Sequence, residues 1–180
     1  MLAAALLSSS AHAENRPASS GVFAEGALGG AGFIGSAKSA AEVGPAIGAR
    51  VGYDLFSWLS IGAHLTASTH EATVPPPPEG EYFQMYTAIG EGRLGFRVRR
   101  IAVFAQGGAG FAMISSNVLS KVGITEPGES VSFAITAGGG FEYQLANRHY
   151  AFGIAGEWAS FAQFENTQSV TVNTFLRYTY

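Results

Sequence analysis

The sequence predicts an all-β fold, in which eight antiparallel strands run up and down in chain order and close into a transmembrane β-barrel. Three observations carry that prediction. Hydropathy alternates with period two in eight successive segments. The connections between them are alternately short and long. The polar phase of the alternation holds charges of both signs, while the two lysines, Lys38 and Lys121, fall in long connections.

The first strand is expected through Gly21–Ile34. The second follows from Ile47, Ala49, Val51, Tyr53 and Leu55 alternating with Gly48, Arg50, Gly52 and Asp54; side chains two apart in a strand share a face, so such a run has two chemically different sides. The third places Leu59, Ile61, Ala63, Leu65 and Ala67 against Gly62, His64, Thr66 and Ser68. In the fourth, Tyr86, Ala88, Leu94, Phe96 and Val98 oppose Glu91, Arg93, Gly95 and Arg97. The fifth sets Val103, Ala105, Ala109 and Phe111 against Phe104, Gln106 and Gly108. The sixth runs from Val131 through Phe133, Ile135 and Tyr143 to Leu145, with Ser132, Thr136, Glu142 and Gln144 between. Tyr150, Phe152, Ile154 and Trp158 mark the seventh, and Val170, Val172, Leu176, Tyr178 and Tyr180 the eighth.

Tight turns are expected at Leu55–Trp58, Arg99-Arg100 and Ala146–His149. The remaining connections are long: Gly35–Gly44, Thr69–Tyr82 with its Pro75–Pro78 run, Ile114–Ser130 and Ser160–Gln168. Short turns at one end and long loops at the other define a meander. An even number of strands lets the first and last pair antiparallel, which removes both sheet edges.

A closed barrel could carry its apolar face inward, as a soluble one does, or outward against lipid. The polar faces hold Glu25, Arg50, Glu91, Arg93, Arg97, Glu142, Glu157 and Arg177, four acids and four bases, among small Gly, Ala, Ser and Thr. A narrow lumen filled by a neutral charge network fits that set better than a water-exposed surface, and Glu25 is expected near Arg177 across the seam of the first and last strands. The aromatics give a second indication. Tyr53, Phe56, Trp58, Phe96, Tyr143, Tyr150, Tyr178 and Tyr180 fall by the short turns or the C-terminus, and Tyr86, Phe111, Phe133 and Trp158 toward the long loops. Two interfacial girdles are the mark of a membrane barrel.

Composition narrows the function classes. Charged residues make up 13% of the 180, against about 25% in soluble domains. Ten Lys plus Arg and a net charge of −3 supply no basic block for nucleic acid. The absence of cysteine removes disulfides, thiolate metal sites and cysteine nucleophiles. Gly30-Ala31-Gly32-Phe33-Ile34-Gly35 spells G-x-G-x-x-G with Asp54 downstream, but no helix of adequate length opens at the third glycine and no βα alternation follows, so no dinucleotide cofactor is expected. The histidines are scattered: His12 in the N-terminal segment, His149 in a short turn, His70 in a long connection and only His64 on the lumen face, so they do not converge on a metal. Asp54, the one aspartate, is placed at a turn. Gly90, Gly92 and Gly95, Gly107, Gly108 and Gly110, and Gly138–Gly140 fall in rough register on three successive strands, where they make room for Arg93, Arg97 and Gln106; a lateral opening is the second reading of that patch.

Met1–Ala13 has the apolar stretch and Ala-His-Ala ending of a secretory signal peptide, without a basic start and therefore incomplete, leaving residues 14–180 as the barrel domain. The alternating strands, the turn asymmetry and the ending Thr174-Phe175-Leu176-Arg177-Tyr178-Thr179-Tyr180 resemble the small bacterial outer-membrane β-barrel family of OmpA/OmpX-like proteins. The resemblance implies a bacterial outer-membrane location, contact with outer-membrane lipid, and recognition of Leu176, Tyr178 and Tyr180 as a C-terminal insertion signal by the barrel-assembly machinery. It leaves several roles open. A structural or surface-interaction protein, with a possible partner at the Thr69–Tyr82 loop, comes first. A narrow channel for small hydrophobic molecules and an outer-membrane lipid hydrolase follow; catalysis is not indicated.

Loss of the last strand would expose two sheet edges in hydrocarbon, where each unpaired backbone group costs several kcal/mol. Deleting Tyr178–Tyr180, or Tyr180→Asp, is expected to leave the chain protease-sensitive in the periplasm. Envelope fractionation with surface proteolysis of the Thr69–Tyr82 loop checks this; normal surface exposure of that loop in the truncated chain would contradict it.

Overall fold

The computed structural model describes residues 21–73, 81–115, 130–165 and 167–180. Eight strands account for most of them: β1 (Gly21–Ile34), β2 (Gly44–Phe56), β3 (Leu59–Glu71), β4 (Tyr82–Val98), β5 (Ile101–Ile114), β6 (Val131–Gln144), β7 (Tyr150–Phe161) and β8 (Thr167–Thr179). Each pairs antiparallel with its neighbours in chain order, and β1 pairs β8 to close the barrel. The expected signal segment and the Pro75–Pro78 run lie outside the described residues.

Three expectations about the elements are corrected. Strand β2 begins at Gly44, ahead of the alternation that starts at Ile47, and the connection before it holds a single 3-10 turn at Gly35–Ser39, entered through Gly35 at φ 72°. His70 is not in a loop: β3 extends to Glu71, because Ser68 and His70 continue the inward phase of His64 and find partners inside. The first short turn is tighter than Leu55–Trp58, with Phe56 opposite Leu59 after an irregularity at Asp54/Phe56.

The register fixes the strand tilt. Followed once around the barrel, the pairs run from Arg177 to Glu25, Arg50, His64, Ile89, Gly110, Ala134 and Phe161 and return to Thr167, ten residues back along β8. Such a stagger tilts the strands by roughly 35–45° from the barrel axis. Lumen side chains therefore meet both direct register partners, as in Glu25–Arg50 and Arg93–Gln106, and residues offset diagonally on other strands.

Outward positions are apolar on every strand, including Leu28, Ile47, Leu65, Leu94, Val103, Ile135, Ile154 and Val172. At the short-turn rim aromatic rings pack on one another: Phe56 stacks on Trp58 with centroids 5.5 Å apart, and Tyr178 lies between Tyr150 and Tyr180 at 4.8 and 4.6 Å. Exposed Tyr82, Tyr86, Phe111 and Phe133 mark the opposite rim. These are the two levels at which ring systems prefer the membrane–water interface.

Inside, glycines and large rings alternate across strand pairs. Phe23 faces Gly52, Phe104 faces Gly140 and Phe175 faces Gly153. A Cβ added at Gly52 would meet the Phe23 ring at 2.7 Å, at Gly140 the Phe104 ring at 2.9 Å, and at Gly153 the Phe175 ring at 2.5 Å. Each ring covers a backbone that has no side chain of its own, the packing known from aromatic rescue of glycines. The glycines read as a patch on β4–β6 differ in how tightly they are enclosed. At inward Gly108, Gly110, Gly138 and Gly140 an added Cβ would come within 2.5 Å of a neighbouring carbonyl, and at outward Gly139 within 2.6 Å, whereas inward Gly95 and outward Gly90 and Gly92 have nothing nearer than 3.8, 3.8 and 4.0 Å.

Alanine at Gly52, Gly140 or Gly153 should therefore destabilise the barrel by about 1–3 kcal/mol through overpacking. Alanine at outward Gly26 or Gly156, where a Cβ meets nothing within 4 Å, should leave stability within about 0.5 kcal/mol. Urea titration of the barrel in lipid vesicles reads the difference; equal costs on the two faces would contradict the assignment.

Candidate functional site

The inward phase of the strands brings a ring of polar side chains to the middle of the lumen. Arg50 on β2 is the hub: it forms ion pairs with Glu25 on β1 and Glu91 on β4, and its Nη2 lies 3.2 Å from His64 Nδ1. Glu25 Oε2 also forms an ion pair with Arg93, 3.2 Å from its Nη1. Arg93 donates from Nε and Nη2 to Gln106 Oε1 at 3.2 and 3.0 Å. Gln106 Nε2 passes the chain on to Glu157 Oε2 at 3.0 Å, and Glu157 lies 3.6 Å from His64 Nδ1, which closes the ring. Arg50 and Glu25 are 3% and 5% exposed, so their charges are shielded from bulk water. Removing one member would leave its partners desolvated and unpaired.

Nearer the short turns the arrangement differs from expectation. Glu25 and Arg177 are directly opposite in the register, yet Arg177 pairs with Asp54, and its guanidinium lies 3.7 Å above the Phe23 ring. Glu25 has two register neighbours and pairs with Arg50 on β2, not Arg177 on β8; it also reaches Arg93 across the lumen, and Arg177 turns toward the rim. Asp54 is accordingly a buried lumen residue held also by Ser60 Oγ at 2.6 Å, not a turn residue. Arg97 pairs with Glu142, and Arg93 stands 4.2 Å over Phe104. A cavity of about 60 Å³ opens at this mouth, lined by Asp54, Arg97, Glu142 and Arg177 with Trp58 at its edge.

At the long-loop end the lumen is apolar, which the alternation of hydropathy does not announce. Phe33, Phe83, Met85, Ile89, Ile114, Phe161 and Phe164 form one buried cluster with alanines from the 3-10 turn and its flanks; Phe83, Phe161 and Phe164 are wholly buried. Parity carries the signal: Phe83, Met85 and Ile89 share the phase of Glu91 and Arg93, and Phe161 that of Glu157. His70 is sandwiched here, with its ring centroid 4.9 Å from Phe33 and 5.4 Å from Phe83. Its Nδ1 donates to the Glu42 carbonyl at 3.0 Å, and Nε2 meets Ser68 Oγ at 2.9 Å. Between this plug and the charged ring only about 20 Å³ is open, beside Ser68, Thr136 and Glu157.

The chemistry this interior can perform is limited by space. His64 Nδ1 and the carboxylates of Glu91 and Glu157 lie within 4.8 Å of one another, a spacing that suits a cation, but Arg50 Nη2 already stands 3.2 Å from that nitrogen and 3.4 Å from Glu91 Oε2. The cation at this hub is a guanidinium. Ser68 and His70 have the separation of a nucleophile and its base, but the third partner is a backbone carbonyl and no cavity of substrate size adjoins them among the described residues.

These features define a membrane β-barrel with an apolar belt outside and a filled interior. The chain belongs to the outer membrane protein beta-barrel domain family, whose model matches residues 1–176. Among solved structures it is similar to Neisserial surface protein A (TM-score 0.64, 12% identity, covering 88% of this chain and 97% of that one). It is also similar to outer membrane protein OprG from Pseudomonas aeruginosa (0.56, 13%, 93% and 98%) and to the N-terminal β-barrel domain of OprF from the same organism (0.52, 11%, 89% and 98%). At these identities the likeness defines the fold alone. No curated protein sequence matches the chain. The location is the bacterial outer membrane, and by the rule for such barrels the short turns face the periplasm and the long loops the exterior.

The ion-pair geometry predicts a specific pattern of couplings. Arg50→Ala should destabilise by about 3–5 kcal/mol because it leaves buried Glu91 without a guanidinium and Glu25 with Arg93 alone. A double-mutant cycle for Asp54 and Arg177 should show a coupling of about 0.5–3 kcal/mol, and one for Glu25 and Arg177 a smaller one. Denaturant titrations in lipid vesicles measure all three; the reverse order of couplings would refute the pairing.

Proposed function

We propose that this protein is a closed, non-enzymatic outer-membrane barrel with a structural or surface-interaction role, acting through what it presents at its rims. The observation that carries the reading is the layered lumen. An apolar plug at the exterior end stands over a ring of interlocked charges, with about 20 Å³ between them. A channel for small hydrophobic molecules along the axis would have to displace Phe83 and Phe161 and then cross Arg50, Glu25 and Arg93, and both layers oppose that. The lumen charges serve as filling that fixes the barrel's cross-section, since eight strands leave an interior just wide enough for side chains. Lipid supports the outer belt, and the assembly machinery is the partner that the ending Leu176, Tyr178 and Tyr180 would engage. The long loops are where a surface partner would bind.

A hydrolase role finds less support. His64 is locked among Arg50, Glu91 and Glu157, and the Ser68–His70 pair is buried beneath the plug, away from any lipid substrate.

Planar-bilayer recording tests the closed reading. The native protein should give no stable conductance steps. A Phe83→Ala/Phe161→Ala/Arg50→Ala variant, refolded and checked by circular dichroism, should admit ions through the thinned layers. Steady conductance of the native barrel would sink the proposal.

A further inference from the structure

The short-turn rim carries a feature that neither the closed lumen nor the girdles require. Among the described residues three that are not glycine have positive φ: Arg99 at 55°, Arg148 at 65° and Glu165 at 47°. Two of the three are arginines in periplasmic hairpins, at left-handed positions that favour glycine or asparagine. Gln144 holds the two turns together: its backbone N–H donates to the Arg100 carbonyl at 2.8 Å and its side-chain Nε2 to the Arg148 carbonyl at 2.8 Å. The result is an exposed basic pair, Arg99 and Arg100, at this rim.

Below this patch the outer wall is recessed. Val98, Arg99, Arg100, Ile101 and Tyr143 line a hollow of about 560 Å³. Ile101 and Tyr143 also line the start of a larger apolar groove of about 980 Å³. That groove follows the register diagonally, from Ile101 to Tyr143, Phe152, Leu176 and Gly26 on five strands. A Cβ added at Gly26 would have nothing within 4 Å, so the groove's depth there is not demanded by the backbone. A cationic recess at the interface therefore runs continuously into an apolar channel along the hydrocarbon belt.

We infer that this surface is a binding site for an anionic phospholipid of the periplasmic leaflet. Its phosphate would sit on Arg99 and Arg100, its glycerol region beside Tyr143, and an acyl chain would lie along Phe152, Leu176 and Ile154. Charge and shape argue jointly: guanidinium groups pair with phosphate through planar, forked donors, and only a ligand with both an anionic head and a long apolar tail fills both recesses. The turn geometry adds that the charge is kept where the backbone would be better served by glycine.

The test uses the folded full chain in phosphatidylcholine nanodiscs containing a minor fraction of phosphatidylglycerol, with retained lipid counted by native mass spectrometry after release into detergent. The native barrel should retain phosphatidylglycerol selectively. Arg99→Gly with Arg100→Ser should fold at least as well, because glycine suits the left-handed position, and should lose retention by about fivefold for each charge removed. The Arg99→Lys/Arg100→Lys variant should keep most of it. Inorganic phosphate at matched ionic strength should not compete. Equal retention of the two lipids by the native protein, unchanged selectivity in the Gly/Ser variant, or displacement by phosphate would each overturn the site, the first as ordinary annular lipid and the last as a simple anion patch.

Discussion

Everything in this molecule depends on closing the sheet. In hydrocarbon no water is present to satisfy a strand edge, so β8 must meet β1, and it does so along twelve register pairs from Phe23–Thr179 to Ile34–Gln168. With eight strands and a ten-residue stagger the lumen is narrow, and side chains from opposite walls touch. Glu25 on β1 reaches Arg93 on β4. Close approach then dictates the small residues: where Phe23, Phe104 and Phe175 lie across the wall, the strand beneath them is glycine.

A narrow lumen also sets the electrostatics. The described lumen holds five carboxylates, those of Glu25, Asp54, Glu91, Glu142 and Glu157, and four guanidiniums, those of Arg50, Arg93, Arg97 and Arg177, with His64 between two of the acids. Desolvated charges of this number are tolerable only when each has a counter-charge or a hydrogen bond close by. The closed circuit through Gln106 and His64 meets that condition without bulk water. The apolar cluster above it shields the circuit from the exterior, and the cation–π contacts of Arg93 and Arg177 do the same toward the periplasm.

The fold is legible in the sequence because membrane and lumen impose opposite chemistry on alternate residues. Strand β1 has the bounds that its alternation suggests, and Arg99-Arg100 is the turn that it looks like. Less visible is whatever depends on tilt or on exceptions to polarity. Sequence order identifies register neighbours and so sets Arg177 beside Glu25; Glu25 has a second register neighbour in Arg50 and pairs with it, and Arg177 pairs with Asp54, offset diagonally on β2. Phe83 and Phe161 escape assignment to the interior because an apolar residue in the polar phase looks like noise, although counting in twos from Glu91 and Glu157 places both inside. The β2 start at Gly44 is obscured because Pro45 interrupts the signal at a place where an outward, strand-initial proline is tolerated.

The two-residue period has a consequence for how such a chain can change in length. Deleting one residue from the middle of β4 would hand Glu91 and Arg93 to the lipid and turn Leu94 and Phe96 into the lumen, since a single step exchanges the faces. Removal of two restores the faces but shortens the stagger and with it the circumference. Lineages of this barrel can therefore gain or lose single residues freely only beyond the rims, and inside the wall they must move in pairs that compensate on a neighbouring strand. The strands are in effect a frame-sensitive text, while the exterior loops are free to drift in length, which separates the part that must be inherited intact from the part that can diverge at the cell surface.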